Sequence, residues 1–177
     1  MVLEAIRYRR GRLEILDQLR LPHELIYVDI KDPQDAWESI KSMQVRGAPA
    51  IAIVAILSVA VCLSDGPVSV EMMRPGPNGV KDMISRSLRF LSTSRPTAVN
   101  LVDAARKLEA ISRAVRPDAH ASDVITSYVN AAEGMLRDDV LDNKRIGDWG
   151  AQWIEKRCGK LDRKISVVTH CNTGCVG

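Results

Sequence analysis

Val45-Arg46-Gly47-Ala48-Pro49-Ala50-Ile51-Ala52-Ile53-Val54-Ala55-Ile56-Leu57-Ser58-Val59-Ala60-Val61-Cys62-Leu63 is the stretch on which the fold turns. From Ala48 to Leu63 the only clearly polar residue is Ser58. A bilayer-spanning helix needs about 20 consecutive apolar residues, and this run stops short at Ser64-Asp65-Gly66-Pro67. Its alanines suit close helix packing, and Pro49 stands where a first-turn proline is tolerated. The stretch therefore predicts a core helix, apolar on all sides, which the rest of the chain must cover.

Toward the amino terminus, Asp32-Pro33-Gln34-Asp35 starts a helix, with aspartate as cap and proline in the first turn. Ala36, Trp37, Ile40 and Met43 give it one apolar face, and it is expected to end near Gln44. Before it lie three short β segments: Leu3-Glu4-Ala5-Ile6-Arg7-Tyr8, Leu13-Glu14-Ile15-Leu16-Asp17 and, after Pro22, Leu25-Ile26-Tyr27-Val28-Asp29-Ile30. With a glycine turn at Arg9-Arg10-Gly11, they predict a small antiparallel sheet.

Toward the carboxyl terminus, Met73-Arg74-Pro75-Gly76-Pro77-Asn78-Gly79 reads as a loop. Val80, Met83, Ile84, Ser87, Leu88 and Leu91 mark an amphipathic helix. After Ser92-Thr93-Ser94-Arg95-Pro96-Thr97 another is expected from about Ala98 to Val115, with Leu101, Ala104, Ala105, Leu108 and Ile111 on its inner face. Ser122 is read as the cap of the next helix, whose face is Ile125, Tyr128, Val129, Ala132 and Leu136. Asp142-Asn143-Lys144-Arg145 reads as a charged link and the domain boundary, followed by a helix with Trp149 and Trp153 four apart, ended by Gly159. Ile165, Val167 and Val168 then form a β-branched run that suits a buried strand. The expected architecture is α+β followed by α/β. Residues 1–143 make a short sheet and helical bundle, and residues 144–177 begin a Rossmann-like parallel-sheet domain that is truncated.

Composition narrows the function classes. The formal net charge is only +3 and no Lys/Arg cluster forms a phosphate-tracking stripe, which argues against nucleic acid. Aromatics at 4% leave no stacking platform for single strands. Met1-Val2-Leu3-Glu4 lacks the basic-then-apolar run of a signal peptide, and the four cysteines lack disulfide-framework spacing. A reducing, intracellular protein with no membrane partner is expected.

Three sites could carry chemistry. Thr169-His170-Cys171-Asn172-Thr173-Gly174 follows the apolar run at the position where α/β sheets hold ligands. The amides around Asn172, Thr173 and Gly174 could lower the Cys171 thiol pKa or cradle a phosphate. Residue types leave a reactive thiol and a buried structural thiol evenly balanced. Cys158, His170, Cys171 and Cys175 lack C-x-x-C or H-x₃-H spacing, so no metal is expected. Arg46-Gly47-Ala48, before the start of the core helix, and Arg95-Pro96-Thr97, before another helix start, both have the form of an anion site. On residue types alone, a solvated arginine before a turn is the commoner reading of each. His23 and His120 lie in polar contexts and are expected to face solvent.

Met1-Val2-Leu3-Glu4-Ala5-Ile6-Arg7-Tyr8, Val45-Arg46-Gly47-Ala48-Pro49-Ala50-Ile51, Ser94-Arg95-Pro96-Thr97-Ala98-Val99-Asn100, Asp142-Asn143-Lys144-Arg145-Ile146-Gly147 and Thr169-His170-Cys171-Asn172-Thr173-Gly174 stand in one order and spacing. Together they resemble the methylthioribose-1-phosphate isomerases and, more distantly, the regulatory alpha, beta and delta subunits of translation initiation factor 2B. The resemblance implies an aldose–ketose isomerisation of methionine salvage, 5-methylthioribose 1-phosphate to 5-methylthioribulose 1-phosphate, without a cofactor. It implies Cys171 as a catalytic group, and Arg46, Gly47, Ala48 and Arg95 as substrate-binding positions. It also implies a homodimer at full length and a cytoplasmic protein, present in the nucleus as well.

The chain matches roughly the first half of such a protein. The family's catalytic aspartate and a later Asn-Lys pair would lie beyond Gly177, and Asp148 and Asp162 occupy neither position. Cys175-Val176-Gly177 departs from the small-residue helix start of the family, so the end is read as a truncation, with little turnover and poor solubility expected of these residues alone. The rival reading is a non-catalytic regulatory subunit, which has no need of Cys171 or of both arginines. A ribose-bisphosphate isomerase would need a second phosphate site.

Overall fold

The computed structural model describes residues 3–64, 76–158 and 165–168. Three strands come first: β1 (Ile6–Arg9), β2 (Arg12–Leu16) and β3 (Tyr27–Ile30). They pair antiparallel in the order β1-β2-β3, with Ile6 opposite Ile15 and Leu13 opposite Ile30. Gly11, at φ +82°, makes the tight β1-β2 turn that a side chain would strain. Leu13, Ile15, Leu16 and Ile30 are buried, so the sheet presents an apolar face to the helices.

α1 (Pro33–Lys41) starts as its sequence dictates, with the Asp32 carboxylate accepting from the amides of Gln34 and Asp35. It ends earlier than expected, because Met43 adopts a left-handed φ of +65°. Met43 is therefore a half-exposed loop residue and not part of the helix face.

α2 (Ala48–Ser64) is the expected core helix. Residues 50–61 and Leu63 are all buried, and α2 touches α1, β2 and each of the three helices that follow. An all-apolar helix is stable in water only inside such a jacket. Among the described residues no helix is long and apolar enough to cross a membrane.

α3 (Gly76–Ser92) takes in Gly76, Pro77, Asn78 and Gly79, which the sequence reading gave to a loop. Proline fits because its missing N–H falls in the first turn, where amides have no intrahelical partner. Val80, Ile84, Leu88 and Leu91 face inward as expected, and so does Lys81. Its ammonium donates to the carbonyl of Val115 at the end of the next helix, α4 (Val99–Ala114), where a cation also meets the negative end of the dipole. On α4, Leu101, Ala104, Ala105 and Leu108 are buried but Ile111 is half exposed. At 100° per residue Ser112 lies nearer the centre of that face, and its hydroxyl is satisfied by Leu108 O at 2.9 Å.

α5 (Ala121–Cys158) is one 38-residue helix. His120, not Ser122, sits at its start, its amide donating to the Asp123 carboxylate at 2.9 Å. Val124, Ile125, Tyr128, Val129 and Ala132 face the core, and the buried Tyr128 hydroxyl donates to Ile56 O of α2 at 3.1 Å. Asp142-Asn143-Lys144-Arg145 is not a linker: the helix runs straight through it and exposes these residues. Charged residues favour a solvated helix as readily as a loop when helix formers surround them. Trp149 and Trp153 are exposed on the same side, with the Arg157 guanidinium 5.5 Å from the Trp153 ring. Residues 165–168 form no strand and stand exposed. β-branched residues make a buried strand only where neighbouring strands supply hydrogen bonds and cover, and none does so among the described residues.

The sheet is tied to α5 through Glu133. Its carboxylate accepts from the Tyr8 hydroxyl at 3.0 Å and from Arg10 Nε and Nη2 at 3.0 and 2.8 Å. The Arg10 bonds, with help from Tyr8 and against a penalty from burial, hold this carboxyl below its ordinary pKa. A folded-state pKa below the unfolded one means that the stabilisation is complete above the unfolded carboxylate range and lost as pH falls through the folded value. Glu133→Gln is therefore expected to lower the urea midpoint at neutral pH, and the gap to the parent should close as pH falls below the ordinary glutamate value of about 4.3. A gap that ignores pH would remove charge from the account.

Candidate functional site

Two loops, each leading into a helix, place the arginines. In the first, Gln18 N donates to Gln44 O at 2.9 Å and Gln44 Nε2 donates to the buried Asp17 carboxylate at 3.0 Å. The left-handed turn at Met43 swings its carbonyl to accept from Arg46 Nε at 3.3 Å. Gly47, buried and at φ +93°, supplies the second left-handed step, and its carbonyl accepts from Ile51 N at 2.9 Å to open α2. Glycine offers no side chain to cap that helix.

In the second loop, Ser94 N and its hydroxyl both donate to Leu91 O, at 3.0 and 2.6 Å, so the chain turns tightly after α3. Ala98 N donates to Arg95 O at 2.9 Å. Ala98 is the N-cap of α4, and no side chain caps this helix either.

The two loops meet. Arg46, Gly47, Ala48 and Arg95 line a single pocket of about 420 Å³ with Met43, Ile51, Thr97 and Ala98. Among the described residues its lining includes both guanidinium groups and no carboxylate, and the amino-terminal ends of α2 and α4 both open at it. Each uncapped helix start adds unpaired amides and partial positive charge. An anion entering here meets two forked donors and two helix dipoles. Met43, Ile51, Ala48 and Ala98 give the same pocket apolar wall, so it suits an anion carrying an apolar portion.

A neighbouring cleft of about 570 Å³ has the opposite character. Asp103, Asp138, Asp139 and Asp142 line it, with Lys107 as its cation. Lys107 is taken by Asp103 at 2.8 Å, and burial together with Asp142 pushes the Asp139 carboxyl up. A phosphate would be repelled there, so the arginine pocket alone of these two has anion chemistry.

All four substrate-binding positions expected from the resemblance thus stand together in one pocket, although the two arginines are 49 positions apart. Cys171, with His170 and Cys175, lies outside the described residues. His23 and His120 are exposed. Met43 and Thr97 escaped the sequence reading. Periodicity assigns Met43 to the α1 face, and Thr97 carries no signal beyond its place in the Arg95-Pro96-Thr97 turn.

Comparison with known proteins gives the family and the fold. The family model described as the initiation factor 2 subunit family matches residues 44–177. The methylthioribose-1-phosphate isomerase of Aspergillus terreus is 49% identical over 98% of this chain and 46% of its own length. That of Pyrenophora tritici-repentis is 53% identical over 98% of this chain and 44% of its own length. That of Populus trichocarpa is 48% identical over 97% and 45%. Among solved structures, 5-methylthioribose 1-phosphate isomerase from Pyrococcus horikoshii superposes with a TM-score of 0.74 at 25% identity, over 84% of this chain and 40% of that one. Subunit delta of translation initiation factor eIF-2B from A. fulgidus does so with a TM-score of 0.71 at 25% identity, over 85% and 42%. The chain spans about half the length of the curated relatives it matches. With its small antiparallel sheet, its helices and a family match over most of its length, the chain belongs to the initiation factor 2 subunit family, and these curated relatives in it are methylthioribose-1-phosphate isomerases.

Proposed function

We propose that the chain supplies the sugar-phosphate-holding part of an aldose–ketose isomerase that converts 5-methylthioribose 1-phosphate to 5-methylthioribulose 1-phosphate. The observation that carries this reading is the convergence of Arg46, Arg95 and two uncapped helix starts on one pocket whose described lining holds no carboxylate. In it the guanidinium groups hold the phosphate and adjoining hydroxyls, and the backbone of Gly47 and Ala48 approaches the anion closely at the start of α2. The methylthio end is the apolar portion that Met43 and Ile51 can face.

The chemistry needs assistance at the sugar. A phosphate ester at C1 locks the ring, so no free aldehyde is available. Ring opening must be helped by proton transfer, after which one hydrogen moves from C2 to C1 as a proton or a hydride. Substrate and product are isomers, so the step requires no external oxidant or reductant. Cys171 is assigned as a catalytic group in this scheme, a role supported by its motif and by the named relatives.

The remaining assignments follow the same reading. Residues 1–143 form the amino-terminal domain, and residues 144–177 begin a Rossmann-like domain. The loss of core contact along α5, packed through Ala132 and exposed from Val140 to Trp153, supports that division. A homodimer, and a place in the cytoplasm and nucleus, are carried by the resemblance.

Alkylation with iodoacetamide tests the catalytic assignment, with labelling at each cysteine read by peptide mass spectrometry. 5-Methylthioribose 1-phosphate should slow labelling of Cys171 and leave the exposed Cys158 unaffected. Equal rates at Cys171 with and without the sugar phosphate would favour the non-catalytic, regulatory reading.

A further inference from the structure

Neither Trp37 nor Thr93 lines the arginine pocket, yet they join the two elements that present its arginines. Trp37 lies on α1, nine residues before Arg46, and Thr93 lies two residues before Arg95. The Trp37 Nε1–H donates to Thr93 Oγ1 at 2.9 Å, and the Trp37 ring stacks on Phe90 with centroids 5.8 Å apart and planes 20° apart. The Thr93 hydroxyl in turn donates to Phe90 O at 2.6 Å, and Thr93 N donates to the same carbonyl at 3.0 Å. That hydroxyl thus accepts from one element and donates to the other, which fixes its rotamer. The Lys41 ammonium lies 6.0 Å from the Trp37 ring and steadies it further.

We propose that Trp37 is a positioning residue, which sets the separation of Arg46 and Arg95 through its hydrogen bond to Thr93. The claim rests on the reading that both guanidinium groups hold one phosphate ester. Two forked donors on separate loops grip one anion only when their spacing matches it, and displacements near 1 Å are costly. The stack on Phe90 brings α1 against the end of α3. The directional bond to Thr93 then fixes where along that contact the two loops stop.

Calorimetric titration of the chain with 5-methylthioribose 1-phosphate, well below the melting temperature, tests this. Thr93→Val keeps the side-chain shape and removes the bond along with the local one to Phe90 O, and Trp37→Phe removes the bond while keeping an aromatic ring against Phe90. Each should weaken binding about fivefold, the double variant should be no weaker than either, and Thr93→Ser should restore parental affinity. In an Arg95→Ala background, Thr93→Val should have no further effect. Parental affinity in Thr93→Val, additive losses in the double variant, or an undiminished loss in the Arg95→Ala background would each overturn the positioning role while leaving the pocket standing. An Arg95→Ala variant that binds like the parent, or a parent that binds nothing, would instead remove the phosphate-site reading and the positioning claim with it.

Discussion

Arg46→Ala and Arg95→Ala are each expected to weaken binding of 5-methylthioribose 1-phosphate by about 10- to 100-fold. This is the cost of removing charge-assisted bonds worth about 1.5–3 kcal/mol. Both side chains line the same pocket, and among the described residues its lining holds no carboxylate whose charge could offset the loss. Lysine at either position keeps the charge and loses the fork, so it should recover only part of the affinity. Added salt should weaken the parent more than either alanine variant, because screening acts on the charges that those variants have already lost. Titration of the unphosphorylated sugar provides the contrast: its affinity should differ little between parent and variants. Equal losses for both sugars would show that the arginines support the fold and do not hold the phosphate.

Tyr128→Ala should produce the largest loss of stability. Tyr128 is fully buried between α5 and α2, among the largest enclosed side chains in the molecule. Removing a buried aromatic side chain costs about 3–5 kcal/mol, from lost transfer free energy and the cavity left behind. Tyr128→Phe keeps the packing and loses only the bond to Ile56 O, so about 1 kcal/mol is expected. The carbonyl of Ile56 lies in mid-helix and retains its intrahelical partner, which keeps that smaller cost low. Burial also pushes the phenol pKa well up, so no ionisation of Tyr128 should appear in the mildly alkaline range while the chain is folded. Urea denaturation of the two variants separates packing from hydrogen bonding. A phenylalanine variant as unstable as the alanine one would place the weight on the bond.

Local signals were readable where one element decides its own structure. Asp32 before Pro33 announced the start of α1, and Gly11 announced the hairpin turn, because caps and left-handed turns are satisfied by residues adjacent in sequence. Periodicity placed Leu101, Ala104, Ala105 and Leu108 inward on α4. It erred at Ile111, where residues near a stripe's edge are sorted by what packs beside them. The break at Asp142-Asn143-Lys144-Arg145 was misread for a related reason: charge reports solvation, and a solvated helix and a solvated loop carry it alike.

Of the candidate site, the sequence by itself determined the residue types. Two arginines precede two helix starts with glycine or alanine where a capping side chain would stand, and the core helix between them is too short to cross a membrane. Their meeting was decided by tertiary structure. Arg46 and Arg95 share a pocket because α2 and α4 pack side by side with their amino-terminal ends at the same edge of the bundle. That arrangement depends on the apolar burial of α2 by elements distant in sequence. The left-handed Met43 and the Trp37–Thr93 tie belong to the same level, since each is held by contacts that local propensity does not encode.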